Sequence, residues 1–389
     1  MRIVHVLLSV YATAIALPSF LAAQTHSDLR FTLHRIDQIG TRLGQTALAD
    51  IDRDGDLDWI AGQSASAGGD IWWWEYRDAD DWRRHELGTG NTDVGAAVAD
   101  VNGDGWLDLL AGSRLLLNTG NPRQDRFAPH DVGTIYSHDT RFADVNGDGR
   151  IDALANSDQS GLYWYEIPLD PTSKWTPHLI ASAADHKVHG GISPQPVGDI
   201  DGDGDADVVT AQAWYENADG AGRRWRPQRN IEFGRVDKYG IAVRTWVGDL
   251  DADGDADIVQ AEADHSDGRV AWFENDGHGN WTRHLIRDAG QLQDFHSLVV
   301  ADFDGDGDWD VFSGTAPLTA EGRHGCYIWQ NNAGRGGRPA GPWGERRVAD
   351  HPCHEAIGGD VDQDGDIDIC FKPWTTGNEH VYLQNRRID

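Results

Sequence analysis

The sequence predicts an all-β fold, a seven-bladed β-propeller of four-stranded antiparallel blades, and three observations predict it. A nine-residue pattern, D-x-[DN]-x-D-G-x-x-D, recurs seven times in 389 residues. Its copies begin at Asp50, Asp100, Asp144, Asp199, Asp249, Asp302 and Asp360, at spacings of 50, 44, 55, 50, 53 and 58 residues, a period typical of radial repeats. Short apolar and aromatic runs surround every copy. The two ends of the chain also complement each other, each lacking what the other carries.

Each repeat supplies four strands in order. A short apolar run precedes the acidic pattern, as in Ser297–Ala301, and a second follows it, as in Asp257-Ile258-Val259. The third is aromatic: Trp72-Trp73-Trp74-Glu75, Tyr163-Trp164-Tyr165-Glu166, Trp214-Tyr215-Glu216-Asn217 and Trp272-Phe273-Glu274-Asn275. The fourth reads W-x-x-H, as in Trp82 to His85, Trp175 to His178 and Trp281 to His284. β-Branched and aromatic residues broken by Gly, Asn and Asp are strands of a twisted antiparallel sheet, and four of them repeated radially form a propeller blade. After the seventh pattern the chain offers the aromatic run Val381–Asn385 but no fourth strand, whereas Phe31–Ile36 is a fourth strand ahead of the first pattern. The N-terminal strand is therefore expected to complete the last blade and close the ring, which removes the open sheet edges. No helix of useful length is expected.

The first residues read differently. Met1-Arg2, an apolar run from Ile3 to Leu21 and the small pair Ala22-Ala23 have the layout of a secretory signal peptide. The expected organisation is a signal peptide over 1–23 and a propeller over 24–389, secreted or periplasmic, with no membrane span after cleavage. The 64 Asp and Glu outnumber 33 Lys and Arg, giving a net charge of −31, which argues against nucleic acid as a partner because phosphate binding needs a basic face. With 17 Trp and 46 Gly the chain is folded and rich in turns rather than disordered. Of three cysteines, Cys326 and Cys353 are the candidate disulfide pair, and Cys370 is left over.

Carboxylates at alternate positions of a short loop converge on one point, as a hard dication with six to eight oxygen ligands requires. In the first loop Asp50, Asp52, Asp54 and Asp58 offer side chains and Asp56 its carbonyl, with Gly55 allowing the sharp turn. The same roles fall to Asp100, Asn102, Asp104, Trp106 and Asp108, to Asp144, Asn146, Asp148, Arg150 and Asp152, and to Asp199, Asp201, Asp203, Asp205 and Asp207. The remaining loops contribute Asp249, Asp251, Asp253, Asp255 and Asp257, then Asp302, Asp304, Asp306, Asp308 and Asp310, then Asp360, Asp362, Asp364, Asp366 and Asp368. Seven structural Ca²⁺ ions are expected, with weaker binding where Asn102 and Asn146 replace a carboxylate. Magnesium suits such crowded cages less well.

These repeats resemble the FG-GAP/VCBS proteins, whose blades are similar to those of the integrin α-subunit head, and the resemblance spans essentially the whole chain after the leader. It implies the propeller and its calcium, with the loops following the innermost strand of each blade, and leaves function open.

Most histidines follow the repeat: His34, His85, His130, His178 and His284 each lie three residues after an aromatic in the fourth strand, with Gln228 and Arg346 in that place elsewhere. They are expected to pack between blades or bond to backbone. A second set breaks the symmetry. His138, His296 and His354 each precede their loop by six residues, and His189 and Tyr239 precede theirs by ten; Gly44 and Val94 hold the place in the first two blades. Such residues would ring the channel mouth opposite the loops, near Arg244, Lys187 and Lys238, joined by His265, Lys372 and Trp374 from the turns after the second strands. Strand capping would also use them, but structural needs recur in all seven blades and this set does not.

The catalytic candidates are His138, His189, Tyr239, Arg244, His296 and His354, and the substrate-binding candidates Lys187, Lys238, Lys372 and Trp374. One reading is a carbohydrate lyase or dehydratase: His189 or His296 takes the proton beside a carboxylate or carbonyl, Tyr239 protonates the leaving oxygen, and Arg244 or an ion steadies the enolate. Its support is architectural resemblance to propeller polysaccharide lyases and to the propeller part of aldos-2-ulose dehydratase. A second is a Zn²⁺ site, or another divalent ion, built from the four histidines. A third is a rigid platform that binds a glycan or protein without chemistry. No phosphate loop, G-x-S-x-G elbow or C-x-x-C pair is present.

Overall fold

The acidic loops set the blades. In all seven loops the ninth residue is a buried Asp whose Oδ2 accepts the backbone N–H of the loop's second residue, from Ile51 to Asp58 at 2.9 Å through to Val361 to Asp368 at 3.1 Å. In six loops Oδ1 accepts a second N–H from the end of the third strand, such as Asn217 to Asp207 at 2.8 Å. One carboxylate thus ties the first, second and third strands together, and its N–H donors offset only part of its desolvation cost, burial raising the Asp58 pKa to about 9.

The structure is a computed structural model that describes residues 29–237, 240–316, 323–333, 338–339 and 341–387; the expected signal peptide lies outside them. Seven sheets form a ring. Blade one runs Leu43–Ala49, Asp58–Gln63, Asp70–Asp78, Asp81–Thr89, and blade three Asp139–Ala143, Asp152–Ser157, Gly161–Glu166, Thr176–Ser182. Blade seven consists of His354–Gly359, Asp368–Lys372 and Glu379–Asn385, with the N-terminal strand Phe31–Gln38 as its fourth, in antiparallel register from Phe31 opposite Asn385 to Gln38 opposite Glu379. The expected closure is observed. First strands of neighbouring blades pack on one another, Leu43–Ala49 against His354–Gly359 for instance, so they line the axis.

Blade five departs from the pattern. Its first strand, Gly240–Gly248, also pairs in parallel with Val188–Gly190 and Pro194–Gln195, and antiparallel with Val236–Asp237. These segments occupy the longer stretches ahead of the fourth and fifth loops. Helix is limited, among the described residues, to Ala183–His186 and a 3₁₀ turn at Ala65–Ala67, and no helix there is long and apolar enough to cross a membrane.

The core lies between blades. Trp73, Ile60 and Ile71 of blade one meet Leu109, Leu116 and Phe127 of blade two, and Leu154 and Trp164 of blade three meet Val208 and Tyr215 of blade four. Each such side chain contributes about 1.5–3 kcal/mol on burial. Three fourth-strand histidines pack inside their own blade, while His34 of blade seven bonds Asp80 of blade one at 2.8 Å. Of the three, His85 stacks on Trp73 with ring centroids 4.4 Å apart and bonds Glu75 at 3.0 Å. His178 on Trp164 and His284 on Trp272 repeat the stack. Directly opposite residues on adjacent antiparallel strands face each other, and His85 is the partner of Trp73. All three cysteines are buried free thiols; Cys326 Sγ donates to the His351 carbonyl and Cys353 Sγ bonds Ser297 Oγ.

Candidate active site at the channel mouth

The four symmetry-breaking histidines come together. His138 precedes the first strand of blade three, His354 begins that of blade seven, His296 leads into that of blade six, and His189 lies on the added strand Val188–Gly190. They line one small cavity of about 150 Å³ with Arg42, Asp93, Val94, Asp264 and Trp374. The acidic loops sit at the other end of the same first strands. His138 and His189 pack with centroids 4.3 Å apart, and His296, His354 and Trp374 form a stack at 4.8 and 5.2 Å. The Arg42 guanidinium lies over Trp374, 5.6 Å from its ring centre.

The imidazoles differ in charge. Burial opposes a charge on His296, but Asp294 at 3.0 Å and Asp264 at 3.4 Å outweigh it and push its pKa up to about 10. These carboxylates favour the charged imidazolium, which is unsuited to the role of base. Burial lowers His189, and neighbouring His138 lowers it further. His138 moves the other way: burial opposes its charge, but the Asp139 carboxylate 3.1 Å from Nδ1 raises it. Burial and then Lys372 push His354 well below its ordinary range.

Lys372 is fully buried, directly opposite His354 in the register of blade seven. Its Nζ lies 2.7 Å from His354 Nδ1 and also donates to the carbonyl of Leu43. With Nδ1 accepting, a neutral His354 carries its proton on Nε2 and offers the cavity a donor. Burial brings the Lys372 pKa down to about 7. Lys372 therefore supports His354 from beneath instead of facing a ligand.

Arg244 is 2% exposed and does not line the cavity. It pairs with Glu355 and, at 3.4 Å, with Asp139, which in turn holds His138. Lys187 lines a neighbouring cleft of about 670 Å³ with Asp158, Asp185, Gln212 and Arg229. Asp158 of this cleft reaches towards the smaller cavity, its Oδ2 lying 3.5 Å from His189 Nδ1. Tyr239 and Lys238 lie outside the described residues. After the second strand of blade five the cavity receives Asp264, while His265 accepts a hydrogen bond from Asp267 N–H at 3.3 Å. Sequence reasoning missed Asp264, Asp93 and Arg42; Asp264 adjoins a noticed histidine, and the others carry no periodic signal.

The loops at the far end suit a cation. Asp249, Asp251 and Asp257 each bring an oxygen within 4.8 Å of the others, as do Asp199, Asp201 and Asp203. Asp201 Oδ1, Asp251 Oδ1 and Asp360 Oδ1 are buried without a hydrogen bond. In the absence of a cation, burial and then adjacent Asp253 raise the Asp251 pKa to about 6; a dication among these oxygens would keep them ionised. Glutamates ending the third strands, Glu75 and Glu274 among them, stand beside the loops, a role their place before Asn or Tyr did not disclose.

The sequence profile of the FG-GAP-like repeat matches residues 50–111, 144–210 and 249–313, covering six of the seven acidic loops in three segments. No curated protein matches the chain. With its matched repeats set in a ring of seven four-strand blades, the chain belongs to the FG-GAP repeat proteins as a seven-bladed β-propeller.

Proposed function

We propose that the protein is an exported, calcium-stabilised lyase or dehydratase acting on carbohydrate by β-elimination at the channel mouth. One observation carries this reading: His189 and His296 line the same polar cavity, burial lowering the pKa of the first while Asp294 and Asp264 beside the second raise its own. Such a split in protonation provides a base and an acid at one pH. His189 takes the proton on the carbon next to a sugar carboxylate or carbonyl. The electron pair forms the new C=C bond as the β C–O bond breaks, and His296 gives its proton to the departing oxygen. The His354 Nε2–H and Arg42, which line the same cavity, would stabilise the negative charge that grows on the substrate. Asp264, flanking both histidines, keeps His296 charged.

The dimensions agree. A cavity of about 150 Å³ admits the reacting edge of one sugar, and the cleft of about 670 Å³ beside it lies within the ordinary range for a larger ligand. The test is incubation with uronate-containing polysaccharides and ketoses while following ultraviolet absorbance of the new conjugated double bond. Product that disappears in a folded His189→Ala variant supports the reading. Binding without product would make the protein a glycan- or protein-binding platform.

A second reading has its own support. His138, His189 and His296 each hold a carboxylate partner, Asp139, Asp158 and Asp294, as metal-ligating histidines commonly do. They would hold zinc or another divalent ion, which would polarise a carbonyl or activate water. His354, with Nδ1 taken by Lys372, fits a donor better than a ligand. Elemental analysis of the purified protein, looking for one equivalent of a transition metal besides calcium, tests this.

A further inference from the structure

We infer that the first acidic loop is closed by the guanidinium of Arg123 from the next blade, which stands where the loop's calcium would. The inference rests on the calcium reading of the other loops. Arg123 lies between the third and fourth strands of blade two, Arg114–Leu117 and Ala128–Asp131. Its Nη2 is 2.7 Å from Asp52 Oδ2 and 2.6 Å from Asp54 Oδ2, and its Nε is 3.2 Å from Glu75 Oε1. One planar cation therefore bridges three carboxylates, the fork geometry to which guanidinium is suited.

These contacts compete with a metal ion. Asp52 and Asp54 are two of the four side-chain ligands that this loop offers. Asp50 accepts from Asp54 and Gly55 and Asp58 from Ile51 and Tyr76, as their counterparts do in other loops, so the hold of Arg123 on Asp52 and Asp54 is what sets this loop apart. Calcium requires six to eight oxygens at about 2.3–2.6 Å, so Asp52 and Asp54 would have to turn from the guanidinium towards an ion of the same sign beside it. The exchange is either one cation or the other. At the third and fourth loops the matching turn of the next blade instead presents Gly220 and Gly277, whose carbonyl oxygens lie 3.6 and 3.2 Å from where a Cβ on Gly147 and Gly202 would stand. A backbone oxygen there tolerates a metal in the loop; a guanidinium opposes it. The boundary between blades one and two is then held independently of calcium concentration.

The experiment compares bound calcium in the wild type and Arg123→Gln, both purified in millimolar calcium, dialysed into one micromolar-calcium buffer and counted by elemental analysis. Arg123→Gln should hold one equivalent more than the wild type, and Asp50→Asn in the same chain should remove that gain. The calcium-dependent rise in melting temperature should also be larger in Arg123→Gln. Equal counts in the two proteins overturn the inference, whatever the absolute number. A count of zero in both overturns it together with the calcium reading, whereas calcium in both at equal count leaves that reading standing. Failure of Arg123→Gln to fold even in calcium also overturns it, because the metal should replace the lost cation.

Discussion

Asn275 reaches back across a blade boundary to Ile200: its Nδ2 donates to the Ile200 carbonyl at 2.8 Å, at the second position of the previous blade's acidic loop. Asn118 to Ile51, Asn217 to Val145 and Asn385 to Phe303 repeat the bond at 3.1, 3.0 and 2.9 Å. The same residues' backbone N–H groups bond the ninth-position Asp of their own blades. One asparagine thus links its own loop to its neighbour's. Asn275→Ala strands the buried Ile200 carbonyl and should destabilise by about 1–3 kcal/mol, measured as a lower urea midpoint with unchanged slope.

Removing calcium should lower the melting temperature. A ligand held only by the folded state at 100 times its Kd contributes about 2.7 kcal/mol per site. Scanning calorimetry with and without chelator checks this; superimposed curves would contradict calcium at the loops.

Arg244→Met leaves Asp139 and Glu355 buried without their shared cation. Loss of one partner of a buried ion pair costs about 3–5 kcal/mol. The expected result is a large fall in stability, and the Arg244→Lys chain should recover only part of it because one ammonium cannot reproduce the fork. A variant as stable as the wild type would instead return Arg244 to a role in substrate binding.

His296 makes stability depend on pH in the alkaline range. Its folded pKa of about 10 exceeds the ordinary value of 6.5, so its contribution is complete below pH 6.5 and disappears as pH rises through about 10. The stability gap between wild type and His296→Gln should narrow steadily as pH rises from 6.5 through about 10. Ring-proton NMR should give a midpoint far above 6.5; a midpoint at the ordinary value would mean that Asp264 and Asp294 do not hold the charge.

The repeat was legible because each acidic loop announces itself within nine residues and the strands flank it in fixed order. Closure by Phe31–Gln38 was legible too, as a missing strand at one end matched a spare one at the other. The asymmetric histidines stood out against the period, and four of them meet in one cavity. Burial at the axis was not legible: whether Lys372 and Arg244 face the cavity or lie beneath it depends on side chains from blades far apart in sequence. The stacking of His85 on Trp73 needed the register between two strands, and a one-residue shift would have placed it on the other face. Asp264 rather than His265 enters the cavity for a related reason, the turn's left-handed backbone at Asp264, φ 56°, which a sequence pattern does not specify.

The strand pairing of Phe31 with Asn385 also sets the order of assembly. The four principal strands of each of blades one to six are consecutive in the chain and can form as they emerge, but the seventh must recruit its outer strand from the opposite terminus. Joining ends so distant in sequence carries the entropic penalty of a long loop and slows folding. Until that strand docks, Glu379–Asn385 is an open edge, and another copy's Phe31–Gln38 fits it equally well. Crowded refolding should therefore favour strand-exchanged oligomers over single rings.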